Sequence, residues 1–339
     1  MLNPKITVIL PVYGVEKYIG KCARSLFSQS YDNVEIIFVN DGTKDRSIEI
    51  VETLLSESFP HMTGKVMIIN KENAGLPVAR KTGLDAATGD YILFVDPDDC
   101  LADGALGKIA RKIEETDADI VYFDFYREHY RRSKYKYDGR QHRLIRGRRR
   151  ELDYGANDNE RWIRNIYNYV SYGYLWIKCF RKSIYDNNPI FIPVYSMQED
   201  EIISAGIIHY ARTFAHLKEY LYYYNQYNGG SITAWDKKRR DLTSAKNMID
   251  VYEHYLDDFM DSPFKSAIPS MMYRLARTAL KYEPELLDRY PYIAEHVLAQ
   301  KLSERCCFSL TEQLVTKFRI RRWAGNKIFR TSARLGCPE

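Results

Sequence analysis

Three carboxylates, Asp96, Asp98 and Asp99, end the segment YILFVDPDDC at residues 91–100, directly behind a run of apolar side chains. Like charges at the end of a buried strand admit two explanations. Asp favours turns and helix N-caps, so the acids could open a helix starting near Leu101. They could equally hold a hard divalent cation, because Mg²⁺ and Mn²⁺ take oxygen ligands and bridge phosphate oxygens. Side chains two apart in an extended segment share a face, which sets Asp96 and Asp98 side by side. A dication nearby would offset their repulsion and favour the ionised form of both. A second acidic cluster, Glu199, Asp200 and Glu201 in MQEDEIIS, has its own pair of readings. Carboxylates complement the dipole of a helix N-terminus, and they also serve as general bases.

The segments around these acids alternate in period. ITVILPVY, VEIIFVND, KVMIIN, YILFVD and DIVYFDFY are short β-like runs. Between them lie helix-like stretches: Glu16 to about Gln29, DRSIEIVETLL, PVARKTGLDAA and residues 103–116. This order predicts βαβ units and an α/β fold with a mostly parallel, doubly wound sheet. Ligands of such sheets bind beyond the C-terminal ends of the strands, where the strand order reverses. Polar residues gather at four of those ends in succession, in ILPVYG, VNDGTKD, NKENAG and VDPDD. Each is ordinary turn chemistry on its own, but together they predict one nucleotide- or metal-binding rim. Gly14 and Gly20 do not form G-x-G-x-x-G, and G-x-x-x-x-G-K-[ST] does not occur. Dinucleotide oxidoreductases and P-loop enzymes are therefore disfavoured. A diphosphate bound without a glycine nest needs a carboxylate-held cation to neutralise it.

Beyond Phe125 the alternation stops, and from about Arg239 the pattern is helical. The expected organisation is a domain over residues 1–235, divided at 125/126, followed by a helical C-terminal region over 236–339. The net charge of +5 is uneven. Arg127 to Arg150 holds eleven Lys/Arg against two acids, and Leu314 to Leu335 holds seven against none. Such blocks suit anionic partners. The second mixes its cations with Phe318, Ile320, Trp323, Ile328 and Phe329, the composition of a helix lying on an anionic membrane surface. The six cysteines show no C-x-x-C or zinc spacing, and no signal peptide or membrane span is evident. A reduced, cytoplasmic setting at the inner face of the cell membrane follows as the expectation.

In their order along the chain, VILPVYGVEKYI, VNDGTKDRS, NAGLPVARKTG, GDYILFVDPDD, WIKCFRKS, QEDE and YYYNQYNGGSI resemble the family 2 inverting glycosyltransferases of the GT-A fold. The resemblance spans residues 4–235 and implies a sugar transferase of bacterial surface-polysaccharide type. It implies that Pro11 and Tyr13 line the base and ribose pocket, and that Asp41 bonds a pyrimidine, favouring a UDP-sugar donor. Asn73 and Arg80 would lie beside the nucleotide. Asp96 and Asp98 would form the D-x-D element, with Asp98 the direct ligand of Mn²⁺ or Mg²⁺ and Asp96 nearer the ribose. Asp200 would be the base and Glu199 its orienting neighbour. The acceptor would be a glycan or a polyprenyl-diphosphate-linked sugar. Gly14 and Lys81 stand where the family often has Asn, and both departures bear on the sugar pocket.

Trp176 suits a sugar-stacking platform or a core position, and Lys178 a phosphate contact or a solvated charge. The turn at Gly229, Gly230 and Ser231 is expected near the diphosphate. Two other classes are weaker fits. A sugar-phosphate nucleotidyltransferase needs a Gly-rich, basic loop after the first strand, which PVYGVEKYIG does not supply. For a nucleic-acid-binding protein, the acidic rim would oppose the phosphate backbone of the nucleic acid unless a metal intervened.

Overall fold

A computed structural model of the chain describes residues 3–129, 143–146, 174–193, 199–225, 236–254, 268–300 and 310–334. Most of the first basic block and the glycine turn at 229–231 lie outside these residues.

Strand β1 (Ile6–Val12) is buried along its whole length, as apolar and β-branched residues are in a parallel strand covered on both faces. Its one hydroxyl, Thr7 Oγ1, donates to Glu35 Oε2 at 2.6 Å and accepts from Gly89 N at 2.9 Å. β2 (Val34–Asp41) lies on one side of β1 and β4 (Tyr91–Phe94) on the other, with β3 (Val66–Lys71) beyond β2. Helices α1 (Ile19–Phe27), α2 (Ser47–Thr53) and α3 (Leu76–Ala86) occur between these parallel strands. At Gly83 a Cβ would stand 2.3 Å from Ile9 Cγ2, so only glycine lets α3 approach β1 this closely.

The strand order turns back at β1, which makes the space beyond β1 and β4 the switch point of the sheet. Pairing between them ends at Ile9 and Phe94, with a last bond from Val95 N to Ile9 O of 3.1 Å. The next β1 residue facing that side is Pro11, which has no N–H to extend the ladder. The two strands therefore separate here.

The acids after β4 do not cap a helix. Cys100–Leu101 is a short strand, β5, and α4 (Ala105–Thr116) begins only after Gly104, which has a left-handed φ of 69°. β6 (Ile120–His129), β7 (Arg143–Arg146), β8 (Lys178–Arg181) and β9 (Phe214–Asn225) complete a nine-stranded sheet among the described residues. It is mixed: β8 runs antiparallel between β4 and β6, β9 runs parallel to β6, and β5 and β7 pair antiparallel with β9 and β6. Helix α5 (Lys182–Asp186) follows β8, and α6 (Glu199–Tyr210) precedes β9.

The chain divides into two compact units, residues 1–159 with 173–234 and residues 160–172 with 235–339. In the second, α7 (Lys237–His254), α9 (Leu286–Arg289), α10 (Pro291–Ala299) and α11 (Leu310–Arg334) pack with the central α8 (Ile268–Tyr282). Met271, Met272, Leu275 and Ala276 of α8 form its core with Ile249, Ile293, Val297 and Ile320. Helix α11 packs through Gln313, Thr316 and Ile320, residues three and four apart, while Leu314 (54%), Val315 (45%) and Phe318 (66%) are exposed. Ile320, expected on a membrane-facing side, is thus turned inward, and the side chains of Ile328 and Phe329 lie outside the described ones. No described helix is long and apolar enough to cross a membrane.

Candidate active site

The two acidic clusters meet on one buried cation. Arg80, on α3, is 1% exposed. Its Nη2 donates to Asp96 Oδ1 at 3.1 Å, and its Nη1 donates to Glu199 Oε1 at 2.8 Å and to Asp200 Oδ1. The guanidinium carbon lies 5.7 Å from the centre of the Phe94 ring. Arg80, expected beside the nucleotide, has its guanidinium engaged by the D-x-D and E-D carboxylates. Burial works against its charge, but Asp200, Asp96 and Glu199 outweigh that and raise its pKa.

One guanidinium does not neutralise three carboxylates. Burial, with Asp200 and Asp98 adding to it against Arg80, pushes Asp96 up to about 7. Burial and Asp200 push Glu199 up to about 7 despite Arg80. This surplus of negative charge, on hard oxygen donors, fits a divalent cation. Among the described residues no group of three or more His, Cys, Asp or Glu could hold a metal alone. A dication on Asp98 and Asp96 would therefore complete its shell with water or substrate oxygens, as Mg²⁺ commonly does.

Asp96 to Asp99 is a tight turn rather than an extended segment, closed by a 3.0 Å bond from Asp99 N to Asp96 O. Asp96 and Asp98 remain partly exposed, whereas Pro97 and Asp99 are buried. Asp99 accepts from the Tyr222 hydroxyl at 2.6 Å and from Asn225 N at 2.7 Å. Burial, Asp98 and Asp96 push its pKa well up. Sequence reasoning saw Asp99 only as a third acid and gave Tyr222 and Asn225, both within the quoted YYYNQYNGGSI, no individual role.

At the neighbouring strand ends, Asp41 is 3% exposed and its carboxylate is already engaged. It accepts from Lys71 Nζ at 2.5 Å, Ala74 N at 3.0 Å and Gly75 N at 2.8 Å. Asn73 Nδ2 donates back to Asp41 O at 2.9 Å. Both residues thus join the loops after β2 and β3. Gly42, at φ 68°, allows the approach, since a Cβ there would lie 2.8 Å from Asn73 N. Thr43, Asp45 and Ser47, given no individual role from sequence, tie the loop after β1 to the loop after β2 by accepting from Gly14 N, Glu16 N and Val15 N. Pro11 is buried, and Tyr13 stands 55% exposed at the end of β1, an aromatic face open to a planar ligand.

Two alternatives left by the sequence are resolved. Trp176 is 2% exposed and stacked on Tyr222 and Tyr174 at 4.4 and 4.8 Å, so it is a core residue and not a sugar platform. Lys178 is not solvated: fully buried, it donates to Tyr174 O at 2.6 Å and Ser204 Oγ at 2.7 Å, joining β8 to α6.

Two acidic clusters joined on a buried arginine at the switch point of a mixed α/β sheet are the arrangement of a GT-A glycosyltransferase. The sequence profile of Glycosyl transferase family 2 matches residues 7–174. The uncharacterized glycosyltransferase EpsJ of Bacillus subtilis (strain 168) is 30% identical over 259 residues, covering 74% of this chain and 71% of EpsJ. The chain belongs to glycosyl transferase family 2. Glycosyltransferase GlyA of Streptococcus pneumoniae serotype 4 is 43% identical over 126 residues, 37% of this chain, and the match spans 17% of GlyA's length. The crystal structure of Staphylococcus aureus TarS 1–349 in complex with UDP-GlcNAc superposes with a TM-score of 0.59 at 16% identity, over 96% of this chain and 92% of that one. At that identity the likeness is one of fold.

Proposed function

We propose that the protein is an inverting, metal-dependent glycosyltransferase that moves one sugar from a UDP-sugar to a glycan or lipid-linked glycan in cell-surface polysaccharide synthesis. The observation that carries this reading is the bridge through Arg80, which brings Asp200 of α6 and Asp96 of the turn after β4 onto one guanidinium. A donor diphosphate at the turn and a base at the head of α6 would then border the same space.

The exposed ring of Tyr13 would carry the uracil, and the joined loops at Asp41 and Asn73 would form the wall beside it. The UDP-GlcNAc held by TarS supports a uridine donor. Asp98, with Asp96, would hold Mn²⁺ or Mg²⁺, whose positive charge stabilises a leaving diphosphate. Asp200 Oδ1 is taken by Arg80, so Oδ2 is the atom to receive the proton of the acceptor hydroxyl. As that proton leaves, the acceptor oxygen bonds to the anomeric carbon and the bond from that carbon to the UDP oxygen breaks on the opposite face. Glu199, also on Arg80 Nη1, would keep the base in place. The outward face of α11, with Leu314, Val315 and Phe318 among Arg319, Arg321 and Arg322, suits an anionic membrane surface, where a polyprenyl-diphosphate-linked acceptor would reside.

UDP release with a panel of UDP-sugars and Mn²⁺ tests the reading. Asp200→Asn is expected to lower kcat by about 10²–10⁴-fold. The heat of UDP–Mn²⁺ binding should stay unchanged in that variant. Undiminished turnover would remove Asp200 as the base.

A further inference from the structure

We propose that Tyr222, Asp99 and Asn225 form a positioning clamp that holds the Asp96–Asp99 turn in the shape it needs to share a dication with a donor diphosphate. The clamp rests on the metal-dependent donor site proposed above, and it assigns a task to residues that take no part in that chemistry themselves.

β9 grips the turn at four points. The Tyr222 hydroxyl accepts from Asp96 N at 3.0 Å and donates to Asp99 Oδ2 at 2.6 Å. Asn225 donates from its backbone N to Asp99 Oδ1 at 2.7 Å and from Nδ2 to Asp98 O at 3.2 Å. Asp96 and Asp98 are thus held by their backbones and Asp99 by its side chain, a division of labour that suits a turn whose first and third carboxylates have another use.

The hydroxyl has little freedom to be elsewhere. The Tyr222 ring is fully buried and lies against Trp176 at 4.4 Å and 15°, and Trp176 is in turn wedged edge-on against Phe125 at 4.9 Å. The strand carrying it is fixed to the far side of the turn as well: Tyr222 and Tyr223 pair with Leu101 and Cys100, and Ala102 N donates to Leu221 O at 2.9 Å. On the near side Val95 N is bonded to Ile9 O. The loop bearing the D-x-D pair is therefore clipped before, within and after its bend.

The chemistry at position 99 explains why a third acid stands there. Both oxygens of Asp99 accept hydrogen bonds, from an O–H and an N–H. Asparagine would turn an NH₂ group toward one of these donors, so only an acceptor at both atoms satisfies the arrangement. Groups that orient metal-binding carboxylates typically change metal affinity or activity by about 10–100-fold when removed.

The test is a calorimetric titration of Mn²⁺ into the full chain with UDP present, paired with the electron paramagnetic resonance signal of bound Mn²⁺. Tyr222→Phe keeps the ring on Trp176 and deletes only the hydroxyl. It is expected to raise the Mn²⁺ concentration at half-saturation at least about tenfold, with excess Mn²⁺ restoring binding. Asp99→Asn should do the same and serves in its place if Tyr222→Phe does not fold. Combined with Tyr222→Phe, it should add little, because both act on one hydrogen bond. Asp98→Ala should lose the Mn²⁺-dependent heat. If the wild-type heat depends on Mn²⁺ and the variants titrate like wild type, within about twofold, the clamp is overturned and the metal site stands. If the wild-type heat is indifferent to Mn²⁺, the metal reading itself is overturned and the clamp's purpose goes with it.

Discussion

Arg80 shows how one residue can join two parts of a site that lie far apart along the chain. Its partners Glu199 and Asp200 are 119 and 120 positions away, and Asp96 is 16. The acids were legible from their clustering, and Arg80 from its motif. Its burial was not, because a charged residue on a mixed helix is normally assigned to the solvent side. The consequence is measurable as a pH effect. Carboxylates ordinarily titrate near 4, and Asp96 and Glu199 are pushed up to about 7, first of all by burial. Between those values the folded chain binds more protons than the unfolded one, so its stability falls as pH rises. The penalty is absent below the unfolded pKa and complete above the folded one. The melting temperature of the ligand-free protein is expected to drop from about pH 5 to about pH 8. Glu199→Gln should flatten that drop; a wild-type melting temperature that climbs over the interval would contradict the assignment.

At the scale of elements, the loops after β1, β2 and β3 are stitched to one another rather than standing as separate arms. Asp41 and Asn73 join the exits of β2 and β3, and Gly42 makes the close approach feasible. Gly42→Ala combines a positive φ with a Cβ 2.8 Å from backbone nitrogen. It should cost more than about 1 kcal/mol, seen as a lower urea midpoint at unchanged slope, together with weaker UDP binding. A variant as stable as wild type would mean that the loop shifts freely. The first four strands were readable because continuous β-branched runs and helical periods differ plainly. The residues that hold the D-P-D-D turn were not. Tyr222 and Asn225 act on residues 123 to 127 positions earlier, and a tyrosine in YLYYYN gives no local sign of which neighbour its hydroxyl meets.

For the whole molecule, charge and apolar surface coincide on α11. Its packed side buries the polar Gln313 and Thr316 beside Ile320, while Leu314, Val315 and Phe318 face outward among arginines, apolar surface that an ordinary surface helix would turn to the core. Inserting each apolar side chain into lipid is worth roughly 1.5–3 kcal/mol, against about 1 kcal/mol for each arginine beside an anionic surface. The apolar part is the larger, so salt should weaken binding to anionic vesicles without abolishing it. Changing Leu314, Val315 and Phe318 together to Gln is expected to leave the protein in the supernatant after vesicle sedimentation; equal pelleting would exclude this face. The composition of the tail was legible, but which side of the helix Ile320 would take depended on packing against α8. Pro11 carries a last consequence. Because its ring nitrogen has no hydrogen to offer, the end of β1–β4 pairing past Ile9 is secured by covalent structure, and a ligand entering there would have no bonds between these two strands to break.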